Sequence, residues 1–199
     1  MKNIIVLFLL SILSLNGFSQ NIDINILKKI NANRNKSLDA TFKFISNGLY
    51  PVSVGTPLVL FSVGLIKKDS LLKQRALYMG KAALVSLFIT AATKRIVKRE
   101  RPFITYPFIE KGALGRGYSF PSGHTSAAFA TATSLSITYP KWYIIAPSFL
   151  WAGATAYSRI HLGVHYPSDI LAGAIIGSGS AFLTHKANKW LRQKRAKKR

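Results

Sequence analysis

The chain has 199 residues and a formal net charge of +22, and 49% of its residues are hydrophobic while only 17% are charged. It has no cysteine, which excludes disulfides, thiolate nucleophiles and thiolate metal sites, and its length fits one domain. Its six acidic residues are scattered, which argues against carboxylate-rich metal cages and paired-carboxylate catalysis. A basic, apolar chain has two natural partners, nucleic acid or a negatively charged membrane surface, and the charge positions decide between them.

Residues 1–20 have the organisation of a signal peptide or signal anchor. Lys2 precedes an apolar run from Ile4 to Leu15, and a small, polar stretch follows with a candidate cleavage point near Ser19. Residues 21–49 are largely polar and basic and are predicted to be extracytoplasmic. Their apolar residues recur at helical spacing, which fits either an amphipathic helix on the membrane surface or an ordinary packed helix.

Five further apolar stretches approach the roughly 20 residues that a helix needs to cross a bilayer. They cover residues 50–66, 76–93, 122–139, 142–157 and 168–184. We therefore predict an all-α integral membrane bundle of five transmembrane helices, with a membrane domain over residues 50–184. A buried helical core of a soluble protein is the alternative.

Basic residues between and after these stretches predict the topology. Lysines and arginines collect in the loop of residues 67–75 and in a tail of residues 185–199, which we place in the cytoplasm. Counting spans from a cytoplasmic N-terminus puts residues 95–121 and 159–167 outside, which predicts a bacterial inner-membrane protein with periplasmic loops. Those loops are basic too, and charges placed against the usual bias commonly have a function, so we expect an anionic ligand there.

Two clusters in the first outside segment fit such a ligand. Lys94 and Arg101 are seven residues apart and lie on one face of a helix, although basic residues that merely flank a membrane helix would look the same. Ser122, Gly123 and His124 follow Pro121 at the start of an apolar helix, whose free amides can bind an anion. A structural histidine at a helix start is the alternative for His124.

The third cluster contains Arg159, His165 and Asp169. If a helix begins near Tyr166, His165 and Asp169 are four residues apart and their side chains can meet. A carboxylate on one ring nitrogen fixes the tautomer and makes the other nitrogen a better nucleophile. The alternative is a helix-capping aspartate beside an unrelated histidine. Asp169 is the only acidic residue near this apolar stretch, where it would be costly without a partner.

The order of these clusters resembles the type 2 phosphatidic acid phosphatase superfamily. The patterns are Lys-(six residues)-Arg-Pro, then Pro-Ser-Gly-His, then Ser-Arg-(five residues)-His-(three residues)-Asp, and all three match without a substitution. The resemblance covers residues 37–184, less specifically at its start. It implies a helical bundle and a metal-independent, cofactor-free phosphatase.

The resemblance also implies a role for each motif residue. His165 would attack phosphorus, Asp169 would orient it, and His124 would protonate the leaving group and then activate water. The implied phosphate-binding residues are Lys94, Arg101, Ser122, Gly123 and Arg159. His161 and His185 fall outside the motifs and are predicted to be structural. Four further cations without an implied role form a surface that attracts anionic headgroups: Arg95, Lys98, Arg99 and Arg116.

The motifs predict that a phosphate is bound, but they do not indicate which lipid carries it. Undecaprenyl pyrophosphate, lipid A phosphate, phosphatidylglycerol phosphate and phosphatidic acid all fit, and an extracytoplasmic site favours the first two.

Other functions are alternatives to a lipid phosphatase. A vanadium-dependent haloperoxidase has a similar pocket, but those enzymes are larger and soluble. A non-enzymatic basic membrane protein that binds anionic lipid or nucleic acid leaves the ordered His, Asp and Arg unexplained, so nucleic acid is not expected. A channel is also conceivable, but the charges cluster at one membrane face. The oligomeric state stays open.

Overall fold

A computed structural model describes residues 16–197 of the chain, and every regular element among them is helical. This confirms the predicted all-α class. Residues 1–15, most of the predicted signal segment, lie outside the described residues. A 3₁₀ turn spans Lys36–Leu38, and the helices are α1 Asn16–Asn31, α2 Asp39–Asn47, α3 Leu49–Ile66, α4 Ser70–Val97, α5 Pro102–Thr105, α6 Gly123–Thr138, α7 Trp142–His161 and α8 Pro167–Ala196.

Local sequence explains where the long helices begin. Asp69 caps α4 by accepting hydrogen bonds from the backbone N–H groups of Leu71 and Leu72, at 2.8 and 3.0 Å. Ser122 caps α6 in the same way, and Pro167 occupies the first turn of α8, where its missing N–H is not needed. The cap of α6 and the first turn of α8 lie in the predicted motifs, so the motifs also define helix starts.

Helix α6 packs against α4, α7 and α8. Its contact with α8 is made by backbone, because small residues face each other. A Cβ atom on Gly177 would lie 2.2 Å from the carbonyl oxygen of Ser126, and one on Gly173 would lie 2.7 Å from that of Ser122. Close approach of helices through small residues is typical of membrane bundles. This backbone contact, which we call the seam, holds the starts of α6 and α8 side by side.

Apolar side chains also cover the outside of the bundle. Leu58 and Val59 on α3, and Leu84, Leu87 and Phe88 on α4, are all at least 60% exposed. Among the described residues, two helical segments are long and apolar enough to cross a membrane, Lys36–Ile66 and Ser70–Thr105. The other three predicted spans correspond to α6, α7 and α8, which do not meet that criterion, so the number of five spans stays a prediction. Helix α8 also continues twelve residues past the predicted end of its span.

The segment before the bundle is attached to it by polar contacts. The side chain of Asn31 bonds to the backbone of Glu110, and it donates to the carbonyl of His161 at 2.9 Å. Asp39 accepts hydrogen bonds from Arg34 and is 2.9 Å from His161. Helix α1 runs through the candidate cleavage point at residue 19, and α2 packs against α7. Residues 21–49 therefore carry a packed helix at the face where α7 ends.

Candidate active site

Three predicted phosphate-binding cations come from different elements and meet at one loop. Lys94 lies in the last turn of α4, Arg101 precedes α5, and Arg159 lies near the end of α7. The Lys94 ammonium donates to the carbonyls of Tyr118 and Ser119 at 2.7 and 3.1 Å. The backbone of residues 114–119 thus fixes the cations without neutralising them, since its carbonyls carry no net charge.

The guanidinium of Arg101 is the most completely bonded of the three. Its Nε donates to the carbonyl of Gly117 at 3.0 Å, and its two terminal nitrogens donate to those of Val164 and Arg116 at 2.8 and 2.9 Å. One terminal nitrogen is also 3.2 Å from Nε2 of His165. Arg101 therefore joins the loop to the third motif.

Arg159 has one N–H group that is not used in these hydrogen bonds. Its terminal nitrogens bond to the hydroxyl of Ser46 and to the carbonyl of Leu114, the latter at 3.2 Å. Its buried Nε has no hydrogen-bond partner within the described part of the chain. A buried charged group with an unsatisfied donor is uncommon, and an oxygen of an anionic ligand is a suitable partner for it.

Two glycines of the loop explain how its carbonyls turn toward the cations. Gly117 has a φ of +62°, in the left-handed region that side chains disfavour. A Cβ atom on Gly115 would lie 3.1 Å from the Arg101 side chain. The sequence analysis expected an anionic ligand near residues 95–121 but gave the backbone carbonyls of this loop no role, although the Gly-Arg-Gly run at residues 115–117 indicates tight backbone geometry.

The imidazole of His165 lies between the carboxylate of Asp169 and the guanidinium of Arg101. Its Nδ1 is 3.3 Å from Oδ2 of Asp169, and its Nε2 faces Arg101. Because arginine can only donate, Nε2 is the acceptor and the proton is assigned to Nδ1. Burial lowers the pKa of His165 to about 4, although the Asp169 carboxylate opposes that shift. The ring is therefore neutral at pH 7, and the lone pair of its Nε2 is directed toward Arg101.

Asp169 is completely buried, and both of its oxygens are occupied. One accepts from the backbone N–H of Tyr166 at 2.9 Å, and also from the hydroxyl of Ser119. The other is 3.0 Å from a terminal nitrogen of Arg99. This environment keeps the carboxylate charged and in one orientation, so that it fixes the His165 ring.

The second motif forms the start of α6. The Ser122 hydroxyl caps the helix by accepting from the backbone N–H and the hydroxyl of Thr125, and its own backbone N–H donates to the carbonyl of Asp169 at 2.9 Å. A Cβ atom on Gly123 would meet only one atom within 4 Å, so packing does not require a glycine there. The ring of His124 lies 5.7 Å from that of Tyr50 and within electrostatic range of Arg159 and His165.

Sequence reasoning missed a supporting pair behind Asp169. Arg99 had been assigned to an anion-attracting surface, but its guanidinium bridges Asp169 and Asp23, at 3.0 and 2.9 Å, and stacks 3.7 Å over the Tyr166 ring. Asp23, on α1, also accepts from the backbone N–H of Ser168 at 2.9 Å. No local pattern signals this contact, because 76 residues separate Asp23 from Arg99.

The side chains of the other cations and histidines named in the sequence analysis lie away from these contacts. Arg95, Lys98 and Arg116 are exposed, as the predicted surface requires. His161 bonds to Asp39, and the ring of His185 packs against Tyr78 at the other end of the bundle. In the part of the chain that the structure describes, no group of three or more His, Cys, Asp or Glu residues could hold a metal ion.

Comparison with known proteins identifies the class that this site defines. The sequence matches the PAP2 superfamily over residues 75–193, which contain all three motifs, so the chain belongs to that superfamily. This confirms the resemblance seen in the motifs, and it makes the protein a membrane lipid phosphatase.

The chain is also similar to individual members of this superfamily. The chain is 32% identical to an undecaprenyl-diphosphatase of Sulfolobus acidocaldarius, over 84% of this chain and 80% of that protein. It is 37% identical to a lipid A 4'-phosphatase of Bacteroides thetaiotaomicron, over 44% of this chain and only 40% of the relative. The fold matches that of the transmembrane PAP2 type phosphatidylglycerolphosphate phosphatase from Bacillus subtilis, with a TM-score of 0.75, 20% identity and 94% of each chain covered.

Proposed function

We propose that the protein hydrolyses the phosphomonoester or pyrophosphate of a membrane lipid through a phosphohistidine at His165. The observation that carries this proposal is the position of the His165 ring: its Nδ1 faces the Asp169 carboxylate, and the lone pair of its Nε2 faces the Arg101 guanidinium. A neutral imidazole with a fixed tautomer is a competent nucleophile, and the adjacent guanidinium stabilises the charge that develops on phosphorus-bound oxygen.

In the first step, Nε2 of His165 forms a bond to phosphorus while the bond from phosphorus to the lipid oxygen breaks. His124 donates a proton to that departing oxygen. Lys94, Arg101 and Arg159 bind the equatorial oxygens, and the free Nε of Arg159 provides one of the donors. Asp169 stabilises the positive charge that His165 gains as its Nδ1 keeps the proton.

In the second step, His124 accepts a proton from water, and the water oxygen attacks phosphorus. The phosphorus–nitrogen bond breaks, and inorganic phosphate leaves with neutral His165 restored. The two steps need a single acid–base group, because the proton that His124 gives in the first step is recovered in the second. Three fixed cations perform the charge stabilisation for which many phosphotransfer enzymes use Mg²⁺, so we propose a metal-independent reaction.

Exposed apolar residues around the catalytic face support a lipid as the leaving group. Ile96, Ile104 and Leu114 flank the site on three different segments, and they are 80%, 59% and 80% exposed. Exposed apolar side chains on the segments that carry the cations suit a substrate that has a phosphate head and a hydrocarbon body. Among the candidate lipids we propose undecaprenyl pyrophosphate or a lipid A phosphate.

A panel of lipids tests this function. Phosphate release from four substrates is measured with purified protein in excess chelator: undecaprenyl pyrophosphate, lipid A, phosphatidylglycerol phosphate and phosphatidic acid. We expect one of the first two to be hydrolysed fastest, and vanadate, which mimics pentacoordinate phosphorus, to inhibit. Loss of activity in chelator with recovery on adding Mg²⁺ would contradict the metal-free mechanism, and a preference for either of the last two lipids would contradict the proposed substrate.

We further propose that the site faces the periplasm from a bacterial inner membrane. The basic loop of residues 67–75 lies at the opposite end of α4 from Lys94, and a cytoplasmic position of this loop follows the usual distribution of positive charge. Reporter fusions after Arg75 and after Arg199 are expected to score as cytoplasmic, and a fusion near Gly115 as external. An external score for the C-terminal fusion would reverse the assignment.

A further inference from the structure

A second cationic site lies at the end of the bundle remote from catalysis. A cavity of about 490 Å³ opens between the start of α4 and the second half of α8. Its lining includes Arg75, Lys189 and Arg192, and none of its lining residues is acidic. Among the cavity-lining residues of α4, Tyr78 is the nearest to Lys94. It lies 16 residues before Lys94, or about 24 Å along the helix axis. The cavity is therefore separated from the catalytic cations by most of the thickness of a bilayer.

Helical spacing directs the cationic side chains into this cavity. On α8, His185, Lys189 and Arg192 follow one another at intervals of four and three residues, so they share one face of the helix. Arg75 and Tyr78 repeat the interval of three on α4. The cavity thus lies between one face of α4 and one face of α8, and its cations are grouped on those faces. The cations at a cytoplasmic helix end are ordinarily scattered around the helix.

Aromatic contacts organise the walls of the cavity. The guanidinium of Arg75 lies 4.9 Å over the ring of Tyr139. The buried Tyr78 donates its hydroxyl to the carbonyl of Ala181 at 3.0 Å, and its ring meets that of His185 edge-on. One wall is therefore fixed before any ligand arrives. The exposed Lys189 and Arg192 remain free to close on an anion.

We propose that this cavity binds the phosphate group of an anionic phospholipid in the leaflet opposite the catalytic site. The positive charge favours a phosphate group, and the proposed topology puts these basic residues at the cytoplasmic membrane surface, where anionic headgroups are concentrated. Leu71 and Ile137 add an apolar side to the cavity, which suits the glycerol and upper acyl chain of a lipid better than it suits a free ion. This site is independent of the phosphatase reaction, because none of its residues belongs to the catalytic centre.

Binding of short-chain phosphatidylglycerol, followed by native mass spectrometry in neutral detergent, tests the proposal. Phosphatidylglycerol has no terminal phosphate to hydrolyse, so binding is measured without turnover. The test variant combines Arg75→Gln, Lys189→Gln and Arg192→Gln. The matched control combines Lys67→Gln, Lys186→Gln and Arg195→Gln, which removes the same charge from the same end of the protein without touching the cavity.

We expect the test variant to bind phosphatidylglycerol roughly 100-fold more weakly, since each basic residue near an anionic surface contributes about fivefold. The control is expected to lose about threefold or less at physiological salt, where distant charges are screened. Phosphatidylcholine of equal chain length is expected to bind weakly to both. Equal losses in the two variants would overturn the site, and displacement of the lipid by millimolar inorganic phosphate would overturn the assignment to a lipid. A thermal melt unchanged from wild type shows that the test variant is folded.

Discussion

The two ends of the bundle both carry cations but hold them differently. Arg101 and Arg159 are buried, and backbone carbonyls accept from their guanidinium groups. At the other end Lys189 and Arg192 are exposed at the rim of an open cavity. The number of charges alone therefore does not distinguish the proposed catalytic end from the other end. Burial and fixed hydrogen-bond acceptors do, because they restrict the conformation of the cation before a substrate binds.

Replacing the two histidines tests the catalytic end most severely. His165→Ala removes the proposed nucleophile and is expected to abolish turnover of every substrate. His124→Ala removes only proton transfer, which is typically worth roughly 10²–10⁴-fold. Activity of the His124 variant should therefore recover in part on p-nitrophenyl phosphate, whose leaving group needs little protonation.

Trapping the phosphorylated protein distinguishes the two histidine roles. A neutral quench followed by mass spectrometry should find the label on His165, accumulating in the His124 variant because water activation is impaired. Label on His124, or turnover by the His165 variant, would contradict the roles as assigned.

Exchanging arginine for lysine at each end separates geometry from charge. Arg101→Lys keeps the charge but loses the fork that contacts the loop and His165, so we expect kcat to fall roughly 10²–10³-fold. Arg75→Lys, at the other end, is the matched control and should leave kcat within about twofold, since Arg75 makes no contact with the catalytic residues. Comparable losses in both variants would remove the distinction between the two ends.

The support behind Asp169 is expected to matter less than the residues it positions. Arg99→Ala should lower kcat about 10- to 100-fold with little change in KM, because the Asp169 carboxylate loses an anchor while the phosphate-binding cations remain. Asp23→Asn should have a weaker effect in the same direction. Exposed Arg95 provides the control, and Arg95→Ala should be close to wild type. An effect confined to KM would instead assign Arg99 to substrate attraction.

The pH profile reports the burial of His165 directly. Its folded pKa of about 4 lies below the ordinary value of 6.5, so protonation favours the unfolded chain and stability falls as pH drops through that interval. The neutral ring persists to the lower value, so kcat/KM for p-nitrophenyl phosphate should not lose the nucleophile until pH approaches about 4. An acid limb near 6.5, the ordinary pKa of histidine, would show that His165 is not shielded from water.

The smallest expected effects come from two lysines in left-handed backbone conformations at opposite ends of α4. Lys68 has a φ of 52°, and Lys98 has a φ of 51°. Glycine adopts this conformation without strain, so Lys68→Gly and Lys98→Gly should each raise the free energy of unfolding by about 0.5–1 kcal/mol, seen as a higher melting temperature. A lower melting temperature would mean that the lysine side chains themselves stabilise these helix ends.

Local sequence patterns were enough to predict the positions of the five long helices α3, α4, α6, α7 and α8, although α4 and α8 are longer than predicted and the course of α1 through residue 19 was not predicted. The interval of four residues between His165 and Asp169 predicted their contact, and the start of α6 was predicted at Ser122. These predictions depend on helix geometry, which acts over a few residues. The structure brings the motif residues to one end of the bundle, and their chemical roles remain proposals.

Contacts between distant segments could not be predicted in the same way. The bond between Arg99 and Asp23, and the carbonyls of residues 114–119 that turn toward the cations, depend on how α1 and a long loop fold back onto the bundle. Charge alone suggested that Arg99 lies on a surface. No periodic pattern encodes such a contact, since backbone carbonyls are the same at every position and a salt bridge can join any two segments.

The contact of α6 with α8 at Gly173 and Gly177 restricts how the enzyme can change over evolutionary time or in the laboratory. Where two main chains touch, no rotamer can absorb an added methyl group, so even alanine forces the helices apart. His124 and Asp169 lie at the starts of these helices, so this backbone contact sets the separation of the proposed acid–base group and the proposed orienting carboxylate. Libraries aimed at new lipid specificity should therefore leave this seam unchanged and vary the outward positions of α3, where exposed Leu58 and Val59 have room for other side chains.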